Sequence, residues 1–253
     1  MKIKFSGNGS HVILWVHGFC LSSDIWKEVI PYFDPDFTSI NIDLPGFGGT
    51  SPTFFNDLPD LADQIYHQLH NHQISKVTLV GHSLGGYLCL ELLRQRPQFC
   101  EGLVLFHANA FEDSKERKSV RQVYLDAFER FGGDFFLRNF HENLFYDKQH
   151  PAISFLKEQP HEITTEILKR YTKAMKDRSD YSDLLTHQIP KLLICGAFDQ
   201  AISSEDYRKM YETAINCELL ILSASAHMGM LEEPKQAAQA IRYFIEQLLN
   251  AHR

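Results

Sequence analysis

The sequence has no long apolar run. Its first, Val12 to Val16, ends at His17 and Gly18, and no later segment reaches the length that would cross a bilayer. The N-terminal stretch carries two lysines but no apolar core of leader length, so it does not read as a secretory signal. Basic residues are in deficit: 25 Lys plus Arg stand against 32 Asp plus Glu, a formal charge of -7, and no basic stripe interleaves with aromatics. A phosphate backbone would be repelled, which excludes nucleic acid as the expected partner and leaves a small-molecule substrate. Cysteine is sparse and odd in number. Cys20, Cys89, Cys100, Cys195 and Cys217 are scattered, mostly inside apolar runs, which fits neither a disulfide frame nor a zinc site. No metal and no cofactor are expected, and a reducing, cytoplasmic setting is.

What is present is a chain of 253 residues, 44% hydrophobic, long enough to bury a full core. Short runs rich in Val, Ile and Leu recur at 11–16, 38–42, 76–80, 102–106, 191–195 and 218–222. Each is closed by Gly, Pro, Asp or Ser and reads as a buried strand. Between them lie stretches of helical period. Leu61, Ile65 and Leu69 share one face of residues 58–70, and Leu88, Leu92 and Leu93 one face of 84–96. A last helix is expected from Pro234, with Ala237, Ile241, Phe244, Ile245 and Leu248 inward. Alternation of this kind predicts an α/β fold, a mainly parallel sheet covered by helices on both faces.

The rhythm breaks between 111 and 185, where helical patterns rich in charge and aromatics replace strands and Gly132–Gly133, Pro151 and Pro160 punctuate them. This segment is expected to be a helical lid inserted in a core formed by 1–110 and 186–253. It carries Phe111, Tyr124, Phe128, Phe131, Phe135, Phe136, Phe140 and Phe145, most of them expected to pack inside it and a minority to line an apolar pocket.

Chemistry concentrates at Gly81-His82-Ser83-Leu84-Gly85, between a strand and an amphipathic helix. A serine on such a turn is held in strained backbone with its hydroxyl exposed above the sheet. The glycines are expected because a Cβ at 81 or 85 would meet neighbouring backbone. A serine hydroxyl needs a base, and the base an orienting acid. His227 follows the strand at 218–222 and Asp199 the strand at 191–195, with Glu205 and Asp206 as rival acids. All three candidates then sit at the C-terminal edge of the sheet, where open α/β sheets keep ligands. An oxyanion would be met by the backbone N–H groups of Leu84 and of Phe19, next to Gly18. His17, and His82 with it, are expected to orient these loops by hydrogen bonds. His107 and Asn109 are candidates to bind a substrate oxygen, and Arg178 to clamp a substrate carboxylate; Asp177, Asp180 and Asp183 would alternatively hold that arginine in surface ion pairs.

With these residues in view the chain resembles the α/β-hydrolase superfamily, in its lidded branch of esterases and carbon–carbon bond hydrolases. The resemblance rests on VILWVHGF, NIDLPGFGGTS, LVGHSLGGYLCLELL, PKLLICGAFDQAI and AHMGMLEEP, and extends over nearly all of the chain outside the lid. It implies an α/β-hydrolase fold, a Ser83–His227–Asp199 triad, oxyanion donors at Phe19 and Leu84, and a structural loop at Asp43-Leu44-Pro45-Gly46. Two departures stand out. Only residues 3–5 precede the first strong strand, and Tyr87 stands where similar enzymes of menaquinone synthesis have arginine. A serine nucleophile argues against dehalogenase and epoxide-hydrolase chemistry. The expected activity is hydrolysis of a small to medium, partly apolar ester. Cleavage of a thioester or C–C bond stands as an alternative, as does an aminopeptidase with Glu112, Glu116 or Glu158 reading the amine. So do a lyase using His227 as base and an inactive, ligand-binding member of the fold.

Overall fold

A computed structural model describes residues 1–158 and 163–251; Pro160 and part of the inserted segment lie outside the described residues. The strands are β1 (Lys2–Ser6), β2 (Val12–Val16), β3 (Thr38–Asp43), β4 (Val77–His82), β5 (Cys100–Phe106), β6 (Lys191–Gly196) and β7 (Cys217–Leu222). They form one seven-stranded sheet in the order β1-β3-β2-β4-β5-β6-β7. Every neighbouring pair is parallel except β1 with β3, so the short first strand serves as an antiparallel edge. The mainly parallel sheet expected from the sequence is what forms.

The helices are α1 (Leu58–Asn71), α2 (Leu84–Gln95), α3 (Lys115–Phe131), α4 (Asp134–Asn143), α5 (Pro151–Glu158), α6 (Thr165–Lys176), α7 (Ser204–Thr213), α8 (Gly229–Glu232) and α9 (Pro234–Ala251). Local chemistry sets their starts. Asp57 accepts the Asp60 N–H ahead of α1, and Ser203 accepts the Asp206 N–H ahead of α7. These bonds satisfy donors that the first helical turn cannot.

Strand pleating divides the core in two. Leu14, Val16, Leu79, Leu103 and Leu105 face α1 and α2. Their chain neighbours Ile13, Trp15, Val80, Val104 and Phe106 face α9. Both faces of the central strands are therefore covered, which is why those strands read as continuous apolar runs and not as alternating ones. α3 to α6 all fall between β5 and β6. Among the described residues no helix is long and apolar enough to cross a membrane.

Candidate active site

β4 ends at His82 and α2 begins at Leu84, so Ser83 alone makes the turn, with φ 52 and ψ -115. A positive φ is costly for a residue with a Cβ and persists only where its surroundings enforce it. Here β5 does so, its Phe106 carbonyl accepting the Ser83 N–H at 3.0 Å. The glycines on either side are steric necessities. A Cβ on Gly81 would lie 2.4 Å from the Gly85 carbonyl oxygen, and one on Gly85 2.2 Å from that of Val16. The hydroxyl makes no capping bond to α2, so Ser83 is not a helix-capping serine. It opens instead, together with His227, on a cavity of about 620 Å³.

His227 lies in the loop after β7, almost fully buried, and its Nδ1–H donates to Asp199 at 2.9 Å from Oδ2 and 3.0 Å from Oδ1. That bond leaves the neutral ring its lone pair on Nε2. Five groups surround the Asp199 carboxylate. The N–H groups of Ala201 and Ile202 reach Oδ1 at 2.8 and 3.3 Å, and the Tyr207 hydroxyl and His107 reach Oδ2 at 3.3 and 3.2 Å; His227 is the fifth. Burial by itself would push its pKa up, but the two histidines outweigh it and hold the carboxyl well below the usual range. The rivals do not hold His227, whose Nδ1 bonds to Asp199: Glu205 pairs with Lys209 at 2.8 Å, and Asp206 borders the cavity.

The histidines of the neighbouring turns hold fixed tautomers. His17 accepts the Leu44 N–H on Nε2 at 2.9 Å and donates from Nδ1 to the Gly18 carbonyl at 2.7 Å, joining the loop after β2 to the loop after β3. His82 donates from Nε2 to the His227 carbonyl at 2.9 Å. Burial lowers the pKa of both rings, His82 strongly. Both therefore act as neutral braces, the orienting part expected of them. Phe19 borders the cavity beside Ser83. Leu84 opens α2, so its N–H is one that no helical carbonyl can satisfy.

Two of the three candidate substrate contacts lie elsewhere. His107 is fully buried behind Asp199, not in the cavity wall. Arg178 is neither a free clamp nor a surface ion-pair partner. It donates to Asp113 at 2.6 Å, to the Met175 carbonyl at 2.9 Å and to the Phe111 carbonyl at 2.8 Å, and its guanidinium lies 4.1 Å over the Tyr87 ring. Asp177 instead pairs with Lys173 and Asp183 with Arg94. Arg178 thus ties the two ends of the inserted segment together. Asn109 does border the cavity, its Oδ1 accepting from Arg178 at 3.4 Å. Tyr207 and the backbone at 201–202 escaped sequence reasoning, although Ser203 as a helix cap four residues after Asp199 signals a tight turn around that carboxylate.

The apolar wall of the cavity comes from Phe19, Tyr124, Phe136, Phe140 and Leu144. Phe19, Phe136 and Phe140 pack ring to ring at 5.0 to 6.0 Å. Polar groups, among them Glu112, Glu116, Arg117 and Arg121, form its outer part. Glu112 is ion-paired with Lys118, and Glu158 lies outside the wall. The ring nitrogens of His107 and His227 and the Asp199 carboxylate come within 4.8 Å of one another. The His227–Asp199 hydrogen bond and the 3.2 Å approach of His107 Nδ1 to the same carboxylate account for that closeness without an ion. All five cysteines are free thiols.

Residues 11–150 match the α/β hydrolase fold family. Along 96% of this chain and 92% of the relative, the sequence is 25% identical to an uncharacterized hydrolase, YugF, of Bacillus subtilis. It is 23% identical to a pimeloyl-[acyl-carrier protein] methyl ester esterase of Photobacterium profundum, over 95% of this chain and 96% of that one. Among solved structures, a thermophilic esterase from Thermogutta terrifontis superposes with a TM-score of 0.88 at 25% identity, covering 98% of this chain and 93% of that one. The family match takes in more than half of the chain, including the whole serine turn, and the chain belongs to the α/β hydrolase fold family.

Proposed function

We propose that this protein is a serine hydrolase that cleaves a small to medium, partly apolar ester through an acyl-enzyme. The observation that carries the reading is Ser83, held at φ 52 on a cavity wall that it shares with His227, whose far nitrogen is bonded to Asp199. The Ser83 oxygen forms a bond to the acyl carbon while its proton passes to His227 Nε2. The oxyanion is received by the N–H groups of Phe19 and Leu84. Collapse breaks the bond to the alcohol, which leaves with the proton from His227. Water then attacks the acyl carbon and gives a proton to His227, which returns it to Ser83 as the acid departs.

The esterases among the relatives support an ester, and the aromatic wall supports an apolar acyl part. Of the three glutamates that could read an amine, Glu112 is ion-paired with Lys118 and Glu158 lies outside the wall, which leaves Glu116 to the aminopeptidase alternative. Residues 111–185 act as a lid in this reading, setting acyl selectivity and excluding water from the oxyanion site.

The test is hydrolysis of short p-nitrophenyl esters. Ser83→Ala is expected to lose several powers of ten in kcat, and His227→Ala a comparable amount that does not add to it. A Ser83→Ala protein that keeps more than about a tenth of wild-type activity would overturn the assignment.

A further inference from the structure

We propose that His107 is a positioning residue: a second imidazole on Asp199 that fixes the carboxylate and, through it, sets the proton affinity of His227. The inference rests on the serine-hydrolase reading above. Three observations carry it. His107 Nδ1 lies 3.2 Å from Asp199 Oδ2, the oxygen that His227 also contacts, and both side chains are essentially without solvent exposure. Its Nε2 accepts the Gly229 N–H at 3.1 Å. And His107 takes φ 47, a backbone strain that turns the ring from the end of β5 toward the loops after β6 and β7.

The contacts determine the tautomer. With a lone pair on Nε2 facing Gly229, the neutral ring carries its proton on Nδ1 and donates it to Asp199. The Gly196 N–H also faces Nδ1 at 3.2 Å and would suit the opposite form. That form would set Nε2–H against the Gly229 N–H and a lone pair against a carboxylate, so the Nδ1–H form is the one that holds. A donor on Oδ2 withdraws negative charge from the oxygen that stabilises the His227 imidazolium. His107 therefore lowers the basicity of His227 while preventing the carboxylate from rotating away.

The other groups facing this cluster come from every packed element. His82, at the end of β4, has its ring 6.0 Å from that of His107 and 4.9 Å from that of His227. Tyr207 of α7 donates to the same Asp199 oxygen, and Cys195 of β6 is a neutral thiol with a pKa pushed up to about 12 by burial. Glu232 of α8 is engaged by the Ser225 hydroxyl at 3.1 Å and the Ala226 N–H at 2.9 Å. His107 and His227 are the two imidazoles, among the described residues, with a ring nitrogen against the Asp199 carboxylate.

Two substitutions separate positioning from packing. In His107→Asn the amide nitrogen takes the place of Nδ1 and keeps the donor to Asp199. In His107→Gln the amide reaches the place of Nε2 and keeps the Gly229 contact while losing Asp199. The kcat/KM profile of p-nitrophenyl acetate is measured against pH for wild type and both variants, with fluorophosphonate labelling of wild-type Ser83 as control. His107→Gln is expected to lose about ten-fold in kcat/KM and to move the acid-limb midpoint upward by about half a pH unit, while His107→Asn follows wild type. Equal profiles in the two variants would overturn the inference, as would a His107→Gln midpoint that stays in place. If His107→Gln fails to fold, nitrogen-detected NMR of wild-type imidazoles decides, since a proton on His107 Nε2 contradicts the proposal and one on Nδ1 upholds it. Absence of labelling at wild-type Ser83 would instead count against the serine-hydrolase reading itself.

Discussion

α3 and α6 run side by side over the same cavity but are anchored very differently. α3 has 17 residues and buries one side chain, Phe128, whereas Val120, Val123 and Phe131 remain exposed. α6 has 12 residues and buries six, Ile167, Leu168, Tyr171, Thr172, Ala174 and Met175. The Tyr171 ring packs at a tilt 4.7 Å from both Phe47 and Phe55, and its hydroxyl donates to the Pro45 carbonyl at 3.0 Å. α6 is thereby fastened to the loop after β3. At the α4 end, the Leu144 carbonyl accepts the His227 N–H at 2.8 Å, binding that part of the insertion to the backbone of the candidate base itself. Motion in a packed protein is drawn from its least buried elements. If residues 111–185 act as the proposed lid, the movement that admits substrate belongs to α3 and not to the insertion as a whole.

The contrast can be broken most forcefully at Tyr171. Truncation to Ala is expected to cost about 3–5 kcal/mol, read as a fall in denaturation midpoint, because a buried ring and its hydrogen bond are lost together. A cost below about 1 kcal/mol would mean that α6 is as loosely held as α3. Next comes the clasp. Asp113 is completely buried between Arg178 and Arg121, and Asp113→Asn leaves buried guanidinium charge without its partner, an expected loss of about 3 kcal/mol.

The same residue carries a pH signature. Burial pushes its pKa up, but Arg121 and Arg178 more than reverse this and hold the carboxyl below its ordinary value. Its contribution is therefore present above about pH 4 and lost as the pH falls below that. His17, His82 and His107 act earlier. Burial lowers the pKa of each in the folded state, so their contribution is present above about pH 6.5 and declines as acid protonates the unfolded chain first. Denaturant titrations should show stability falling from about pH 6.5 downward, with the limb below about pH 4 shallower in Asp113→Asn. Stability independent of pH from about 7 to about 4 would contradict the buried neutral histidines.

Smaller effects are expected over the cavity. Tyr124 of α3 lines it, so Tyr124→Ala should lengthen the best acyl chain in a p-nitrophenyl acetate-to-octanoate series without abolishing turnover of the acetate. Each methylene that gains a buried place is worth about 0.8 kcal/mol, or nearly four-fold in kcat/KM. An unmoved optimum would take α3 out of the selectivity wall. The smallest change is at Val123, two-thirds exposed on the same helix, where substitution by Ala should stay within about 0.5 kcal/mol of wild type.

Much of the candidate site could be read from local order. The serine turn is legible because a strand, two sterically required glycines and a helix are contiguous in sequence. Asp199 and His227 are legible because parallel strands deliver their ends to one edge of the sheet. Arg178 could not be placed in this way. Its partner Asp113 stands 65 positions earlier, and three acids closer in sequence offered a plausible alternative. The sequence points His107 toward the cavity, whereas its actual direction depends on a positive φ that nothing in the sequence announces. The anchoring of α6 was hidden for a similar reason, since it depends on a tyrosine meeting a carbonyl 126 residues away. Local periodicity predicts elements and their faces, while contacts across such separations are decided by packing.

The central claim is tested most directly by treating wild type and Ser83→Ala with a fluorophosphonate and mapping the adduct by mass spectrometry. A single adduct on Ser83, absent from Ser83→Ala and slowed by His227→Ala, is the predicted result. An adduct on another residue, or wild-type protein that hydrolyses esters while Ser83 stays unmodified, would contradict it.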